Sequence, residues 1–346
     1  MPRRLNLDAT RMYAVEEALE KLVASRAIPG FAFASLRAGR LEAARVFGIR
    51  GSHDDAPVDV HTVFEAASLT KPVVSLIALQ LAGEGLLNLH EPLFEICGEY
   101  VPDDARAQCI TAFHVLSHSS GLPNIVRADA PLKTYFAPGE RFSYGSSAFA
   151  WLQIAMQRLT GLSLEAMAQQ RVFRPLGMDD SSLEWQERFL TNHAQGYEWD
   201  GEAVPKRRVA TAQASWSLLT TATDYLRFIQ AVQSTRSLAP KMHARWFEPV
   251  VPVRQGDNAE DLTGINPPSE HVAWGLGWGL EPLQGCFFHW GHSPGFRAYV
   301  LGNRVTQDAV VWFANSARGL SLAHLLLPAA VPGKHPSVQW LQIGQL

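Results

Sequence analysis

Segments with strand character occur near both ends of this chain, and a long stretch of helical character separates them. Residues 31–36 and 41–48 predict two strands, because apolar segments there flank a short glycine-containing turn. Strand character returns at 286–290, 297–302 and 308–315. We expect strands from both chain ends to join one antiparallel sheet, since each needs a partner for its backbone and a core for its apolar face.

Helical periodicity occurs between the N-terminal and the C-terminal strands, and also before the first strand and after the last one. The predicted helices span 9–24, 73–87, 112–118, 147–160, 164–174, 222–233 and 320–327. The predicted fold class is therefore α+β, with the sheet flanked by the terminal helices and a mostly helical region inserted between its strands. We expect residues 1–65 and 273–346 to form the sheet region and 66–272 the helical region, with a ligand-binding cleft between them.

Composition excludes several classes of function. A net charge of −3 and a pI near 6.5 give no reason to expect nucleic acid or an anionic membrane as partner. No apolar run approaches the length of a membrane span. Residues 1–8 lack the apolar segment of a signal peptide, so a cytoplasmic location is expected, although a chain trimmed of its leader would look the same. Cys97, Cys109 and Cys286 match no metal or redox spacing, and no cofactor is expected.

The strongest chemical signal is the pair Ser68 and Lys71, which stand three residues apart at the start of an apolar helical run. A helix brings such positions onto one face, so the hydroxyl and the amine can touch. A serine needs a base to become a nucleophile, and a lysine can act as that base only when desolvation lowers its pKa. The alternative for this pair is a helix N-cap beside a surface lysine.

Two further segments strengthen this interpretation. Tyr144 and Ser146 lie in a loop just before an apolar helix, and a phenol near a cation can pass a proton to a leaving group. Gly291 and Gly295 follow a strand that carries His289. Glycine lets a backbone come close to a ligand, as an oxyanion hole or a substrate-binding strand requires.

Two other sequence patterns suggest different sites. His114 and His118 have a spacing that can bind zinc, but no third ligand accompanies them, so helix packing is favoured. Residues 291–295 match the Gly-x-Ser-x-Gly elbow around Ser293, which needs a helix after the serine. The next segment along the chain reads as a strand, so this assignment is disfavoured.

Several ordered motifs together resemble the serine β-lactamase and penicillin-binding-protein superfamily. Within it, the chain is most similar to the class C β-lactamase-like group, which includes esterases and D-amino-acid peptidases. The likeness spans about residues 28 to 318. The motifs that carry it lie at 28–30, 62–71, 79–89, 114–122, 138–144, 174–178, 275–278 and 289–291.

The resemblance implies catalytic roles for three residues. Ser68 would be the acylated nucleophile, within a Ser-x-x-Lys motif. Lys71 would be its base or proton relay. Tyr144 would be the first residue of a Tyr-x-Asn motif and would share protons with Lys71 and the leaving group.

The resemblance also implies a substrate-binding strand and an oxyanion hole. His289, Trp290 and Gly291 would replace the Lys-Thr-Gly strand motif, with His289 in the position of the lysine. The backbone N–H groups of Ser68 and His292 would form the oxyanion hole. Trp278 and Trp290 are the two tryptophans that we expect near substrate.

The chain departs from the family pattern at Ser146 and His289. Ser146 replaces an asparagine that holds a substrate carbonyl or the lysine, and its shorter hydroxyl can do only part of that work. His289 replaces a lysine, which removes a permanent positive charge at neutral pH and weakens binding of a substrate carboxylate.

The sequence therefore predicts a serine hydrolase that acts through an acyl-enzyme on small esters or amides. β-Lactamase or D-Ala-type peptidase activity stays open, as does a non-catalytic binding protein on the same fold. The expected partner is a small-molecule ester, amide or β-lactam, and the oligomeric state is undetermined.

Overall fold

A computed structural model of the protein describes residues 7–51, 55–126, 128–129, 131–254 and 268–344, with side chains from residue 15 onward. Its strands are β1 (Gly30–Arg37), β2 (Arg40–Gly48), β3 (Phe64–Ala67), β4 (Leu218–Thr220), β5 (Val251–Pro252), β6 (Ala273–Trp274), β7 (Gly279–Glu281), β8 (Cys286–Ser293), β9 (Phe296–Asn303) and β10 (Ala309–Ala314). All five strands expected from the sequence are present, and β3 to β7 were not foreseen.

An eight-stranded antiparallel sheet runs in the order β2-β1-β10-β9-β8-β7-β6-β5. The N-terminal hairpin joins the C-terminal strands through β1 and β10, whose register pairs Phe31 with Ala314. The predicted sheet from both chain ends is therefore confirmed. The short β3 and β4 form a separate two-stranded sheet. The division of the chain at residues 65/66 and 272/273 stays a prediction, and β5 adds residues before 273 to the large sheet.

The central strands are apolar on both faces because helices cover the sheet on both sides. Along β10, Val311 and Phe313 join the larger core on the side of the helical region. The alternate residues Val310 and Trp312 join a second core beneath the terminal helices. The sheet is thus a buried middle layer, which fits the continuous apolar runs in these strands.

The helices are α1 (Leu7–Ala24), α2 (Thr70–Gly83), α3 (Leu93–Cys97), α4 (Ala112–Leu116), α5 (Ser147–Thr160), α6 (Leu164–Ala168), α7 (Arg174–Leu176), α8 (Ala222–Gln233), α9 (Pro240–Trp246), α10 (Ala323–Ala330) and α11 (Pro336–Trp340). A π-helical turn at Gln169–Phe173 joins α6 to α7. Thr221 begins α8 by accepting a hydrogen bond from the Asp224 N–H. Gly161 ends α5 in the left-handed conformation. None of the helices within the described ranges is long and apolar enough to cross a membrane.

The connection from β3 to α2 carries the predicted nucleophile. The pairing of β3 with β4 shifts register between Glu65 and Ala67, which leaves Ala66 as a bulge. Ala67 then takes a positive φ of 49°, a conformation that is uncommon for a residue with a Cβ. Ser68 lies in the next turn, just ahead of Thr70, the first residue of α2.

Candidate active site

The predicted nucleophile and base are in contact. Lys71 Nζ lies 3.1 Å from Ser68 Oγ and 3.0 Å from the backbone oxygen of Ser215. Ser68 is half-buried, whereas Lys71 is fully buried. The serine hydroxyl therefore lies where a substrate can reach it, and the amine lies behind it, away from solvent.

Burial changes the chemistry of the amine. Desolvation lowers the pKa of Lys71 to about 7, because a charged ammonium is poorly solvated in this environment. No carboxylate in the described part of the chain forms a salt bridge with it. An amine with this pKa is neutral for about half the time near pH 7, which is the state that can accept a proton from Ser68.

Neighbouring elements hold the turn around Ser68 in place. The hydroxyl of Thr70 donates to the Ala67 oxygen at 2.6 Å and accepts from the Leu218 N–H at 2.9 Å. The buried phenol of Tyr225 donates to the Leu69 oxygen at 3.0 Å. These bonds tie the residues on both sides of the nucleophile to β4 and α8. Pro72 is accommodated because it occupies the first turn of α2, where no helical N–H partner is needed.

The ring of Tyr144 lies beside the amine. Lys71 Nζ is 4.9 Å from the centroid of its ring. His118 stacks on the same ring, with 4.2 Å between the two ring centroids. His118 Nδ1 accepts a hydrogen bond from the Gly145 N–H at 3.0 Å, so its Nε2 carries the proton of the neutral ring. Burial, and then the nearby Lys71 charge, hold the pKa of His118 well below its usual range.

His289 is fully buried behind the same group of rings. Its Nδ1 donates to the Trp290 oxygen at 2.9 Å, and its ring centroid lies 6.2 Å from that of Tyr144. Burial, and then the Lys71 charge, lower the pKa of His289 to about 3. His289 is therefore uncharged at neutral pH. The half-buried Trp290 contacts Tyr144, with 4.9 Å between ring centroids.

The end of β8 presents backbone toward the nucleophile. A two-residue turn joins β8 to β9, and Ser293 pairs with Phe296 at its base. The next pair, His292 with Arg297, is then of the non-hydrogen-bonded kind, so the His292 N–H points away from β9. On its other side β8 pairs with β7 only as far as Phe288 among the described residues. The His292 N–H thus lies on an open edge of the strand.

Gly291 allows this edge to approach β3. A Cβ at this position would lie only 2.3 Å from the Ala66 oxygen, so no larger residue fits without a shift of backbone. Ala66 precedes Ser68 by two residues. The backbone segments that carry Ser68 and His292, whose N–H groups are the predicted oxyanion hole, are therefore in close contact at Ala66 and Gly291.

Ser146 has a different environment from that of the buried site residues. It is half-buried, and its hydroxyl donates to Asn124 Oδ1 at 2.6 Å. Asn124 is exposed. The short hydroxyl at this position is therefore engaged with a neighbouring amide at the protein surface.

The roles of Ser215 and His118 at this site were not predicted from the sequence. Ser215 acts through a backbone oxygen, which no side-chain pattern can reveal. His118 stands in a motif that carried the family resemblance, but nothing in its spacing indicated that it stacks on Tyr144. Trp278, which was expected near substrate, is fully buried: its ring packs against Phe287 and lies 6.5 Å from that of His289, so its nearness to substrate stays a prediction.

The two competing patterns do not form the sites they suggest. His114 Nδ1 caps the first turn of α4 by accepting from the Thr111 N–H, while His118 stacks on Tyr144. The two histidines thus serve separate structural contacts. Ser293 is followed by the strand β9 rather than a helix, and its hydroxyl donates to Glu65 at 2.7 Å. The strand-turn-helix geometry of a nucleophile elbow is therefore missing around this serine.

Glu281, Cys286 and His335 bring possible metal-ligand atoms within 4.8 Å of one another. Glu281 accepts from the Ser337 N–H at 3.0 Å and faces His335 Nδ1 at 3.1 Å. The carboxylate raises the pKa of His335 against the effect of burial, whereas burial raises the pKa of the Cys286 thiol to about 12. A hydrogen bond between His335, at the start of α11, and Glu281, at the end of β7, accounts for their contact without a metal.

Comparison with known proteins supports the fold and the family. A family model described as Beta-lactamase matches residues 15–330. Esterase EstB of Burkholderia gladioli is 26% identical over 334 residues, which cover 80% of this chain and 81% of the esterase. A β-lactamase of Yersinia enterocolitica is 25% identical over 238 residues, or 65% of this chain, and the match spans only 60% of that protein.

Solved structures agree with the architecture. A class C β-lactamase superposes with a TM-score of 0.76 at 20% identity, covering 96% of this chain and 99% of that one. An octameric penicillin-binding protein homologue from Pyrococcus abyssi gives a TM-score of 0.75 at 21% identity, covering 96% and 80% respectively. The fold is thus that of β-lactamases and transpeptidases. Since the family model spans most of the chain, this protein belongs to the β-lactamase family.

Proposed function

We propose that this protein is a serine esterase or amidase that works through an acyl-enzyme on Ser68. The observation that carries the proposal is the contact of 3.1 Å between Ser68 Oγ and the buried Lys71 amine, whose pKa is lowered to about 7. A nucleophile beside a base that is neutral at physiological pH is the arrangement that acyl transfer requires.

In the proposed reaction, Ser68 Oγ attacks the substrate carbonyl carbon and its proton passes to Lys71 Nζ. The negative charge on the carbonyl oxygen is held by the Ser68 and His292 N–H groups. As the bond to the leaving group breaks, the proton moves from Lys71 to the leaving alkoxide or amine, with Tyr144 as relay. Water then attacks the acyl-enzyme, gives up a proton along the same route, and releases the acid and free Ser68.

The uncharged state of His289 favours substrates that do not need a carboxylate for binding. Its pKa of about 3 leaves it neutral wherever Lys71 is active. A neutral, buried imidazole gives no charge-assisted bond to a carboxylate of the kind that a lysine would provide. The similarity to an esterase over most of both chains is consistent with such substrates.

β-Lactam hydrolysis is the second candidate, because a curated relative is described as a β-lactamase and a class C β-lactamase shares the fold. We expect slow turnover of β-lactams, because a neutral His289 gives no charge-assisted hydrogen bond to their carboxylate. Efficient hydrolysis of nitrocefin would reverse this ranking, since a chromogenic cephalosporin carries the carboxylate that the site is not built to hold.

The proposal is tested by intact-mass detection of the acyl-enzyme. The protein is mixed with p-nitrophenyl esters of increasing acyl length, penicillins and D-Ala-D-Ala peptides, and any adduct is mapped to its residue. We expect the esters to leave one acyl group on Ser68. Folded protein that gives neither adduct nor ester turnover between pH 6 and 9 would instead favour a binding protein on this fold.

The pH dependence gives a separate prediction. Because Lys71 must be neutral to take the serine proton, kcat/KM for a neutral ester should rise with pH and level off above a pKa of about 7. Below that value the rate should fall about tenfold per pH unit. Stopped-flow or steady-state rates between pH 5 and 9 measure this limb. A profile with no inflection between pH 6 and 8 would contradict the lysine as base.

A further inference from the structure

Three side chains connect the two backbone segments that would form the oxyanion hole. Ser293 Oγ donates to Glu65 at 2.7 Å. The Arg207 guanidinium donates both to the same Glu65 oxygen and to Ser293 Oγ. Glu65 and Ser293 are buried, whereas the Arg207 side chain is 39% exposed. The three groups thus form a closed triangle of hydrogen bonds.

The positions of these residues in the chain relate the triangle to catalysis. Glu65 precedes Ser68 by three residues, and Ser293 directly follows His292. The Ser68 N–H of the proposed oxyanion hole is therefore close in sequence to Glu65, and the His292 N–H is close in sequence to Ser293. The two backbone segments touch at Ala66 and Gly291, where there is no room for a Cβ on Gly291.

Arg207 extends the connection to the base. Its guanidinium lies 4.9 Å from the ring centroid of Trp216, which is within cation–π range. Trp216 follows Ser215, whose backbone oxygen accepts a hydrogen bond from Lys71. The segment that holds the amine is thus packed against the triangle that joins β3 to β8.

We propose that Glu65, Ser293 and Arg207 form a clamp that sets the spacing and direction of the Ser68 and His292 N–H groups, and that they are positioning residues of the reaction. The clamp rests on the proposed function, and none of the three residues needs to touch substrate. An oxyanion hole acts only when its donors are already in place, so a small displacement of β8 from β3 weakens transition-state binding more than substrate binding.

A merely structural role would have different consequences. A partly exposed ion pair contributes little to stability, and loss of a buried hydrogen bond would lower the stability of the whole protein without selective loss of rate. Ser181 offers a matched control, because it is also buried and its hydroxyl donates to a buried carboxylate, Asp224, at 2.9 Å. Ser181 lies outside the groups assigned to catalysis.

The test compares wild type with Ser293→Ala, Glu65→Gln and Ser181→Ala. Rates with a p-nitrophenyl ester are expressed per active site, after titration to completion with a fluorophosphonate, so that misfolded protein does not count. The inhibition constant of phenylboronic acid is measured in parallel, because its tetrahedral adduct on Ser68 imitates the oxyanion. Thermal unfolding gives Tm for each variant.

We expect Ser293→Ala and Glu65→Gln to lower kcat by about 10- to 100-fold, with KM changed by less than about threefold. The boronate should bind more weakly by a similar factor. Ser181→Ala should lower Tm but leave kcat and boronate binding unchanged. The clamp proposal is wrong if wild type is active and both clamp variants keep the kcat and the boronate affinity of wild type, as Ser181→Ala is expected to do. If Ser293→Ala does not fold, Glu65→Gln decides alone. An inactive wild type would overturn the proposed function and the clamp together.

Discussion

Ser68→Ala is expected to reduce kcat/KM for ester hydrolysis by at least about 10⁴-fold, because Ser68 Oγ is the hydroxyl that contacts the Lys71 amine and would carry the acyl group. Covalent labelling by a fluorophosphonate should disappear at the same time. The fold should survive, since the half-buried hydroxyl is replaced by a smaller group and the turn is held by bonds from Thr70 and Tyr225. Labelling with intact-mass detection measures the loss directly.

Ser293→Ala is the matched comparison for this experiment. It should label more slowly than wild type but still to one group per chain, since its hydroxyl belongs to the proposed clamp. Labelling that persists in Ser68→Ala and vanishes in Ser293→Ala would move the nucleophile to the Gly-x-Ser-x-Gly segment and end the present assignment.

Lys71→Met is expected to lower kcat/KM by about 10²- to 10⁴-fold, the range for loss of a general base. The inflection near pH 7 should vanish with the amine. Methionine fills a similar volume without a group that burial penalises, so Tm should stay the same or rise. Activity assays across pH, together with thermal unfolding, separate this loss of function from loss of structure.

Lys71→Arg distinguishes a base from a fixed charge. A guanidinium stays protonated at every pH of the assay, so it cannot accept the serine proton. We expect this variant to be as inactive as Lys71→Met. Near wild-type rates in either variant would show that another group removes the proton.

Much of the architecture could be predicted from local patterns. Helices α5 and α8 occur at the predicted residues, 147–160 and 222–233, because an apolar stripe and clear end signals mark them. The periodicity predicted helix α2 over 73–87, whereas Pro72, which is tolerated only in a first turn, predicted a start very near Ser68. The helix begins at Thr70, close to the second prediction.

The short strands and some site contacts could not be predicted in this way. Strands of two to four residues, such as β5 and β3, show no period, and their pairing is decided by partners far away in the chain. The contact of Ser68 with Lys71 follows from spacing, whereas the support from Ser215 uses backbone that any residue supplies. The clamp joins positions 65, 207 and 293, which no local pattern connects.

The pairing of Phe31 with Ala314 has a consequence for biosynthesis. The hairpin of β1 and β2 is synthesised long before β10, the other neighbour of β1 in the sheet. Until β10 is made, β1 has one unpaired edge, which is a condition under which nascent chains aggregate. A stop codon placed just before β10 should therefore deprive the cell of the soluble protein as well as of its activity.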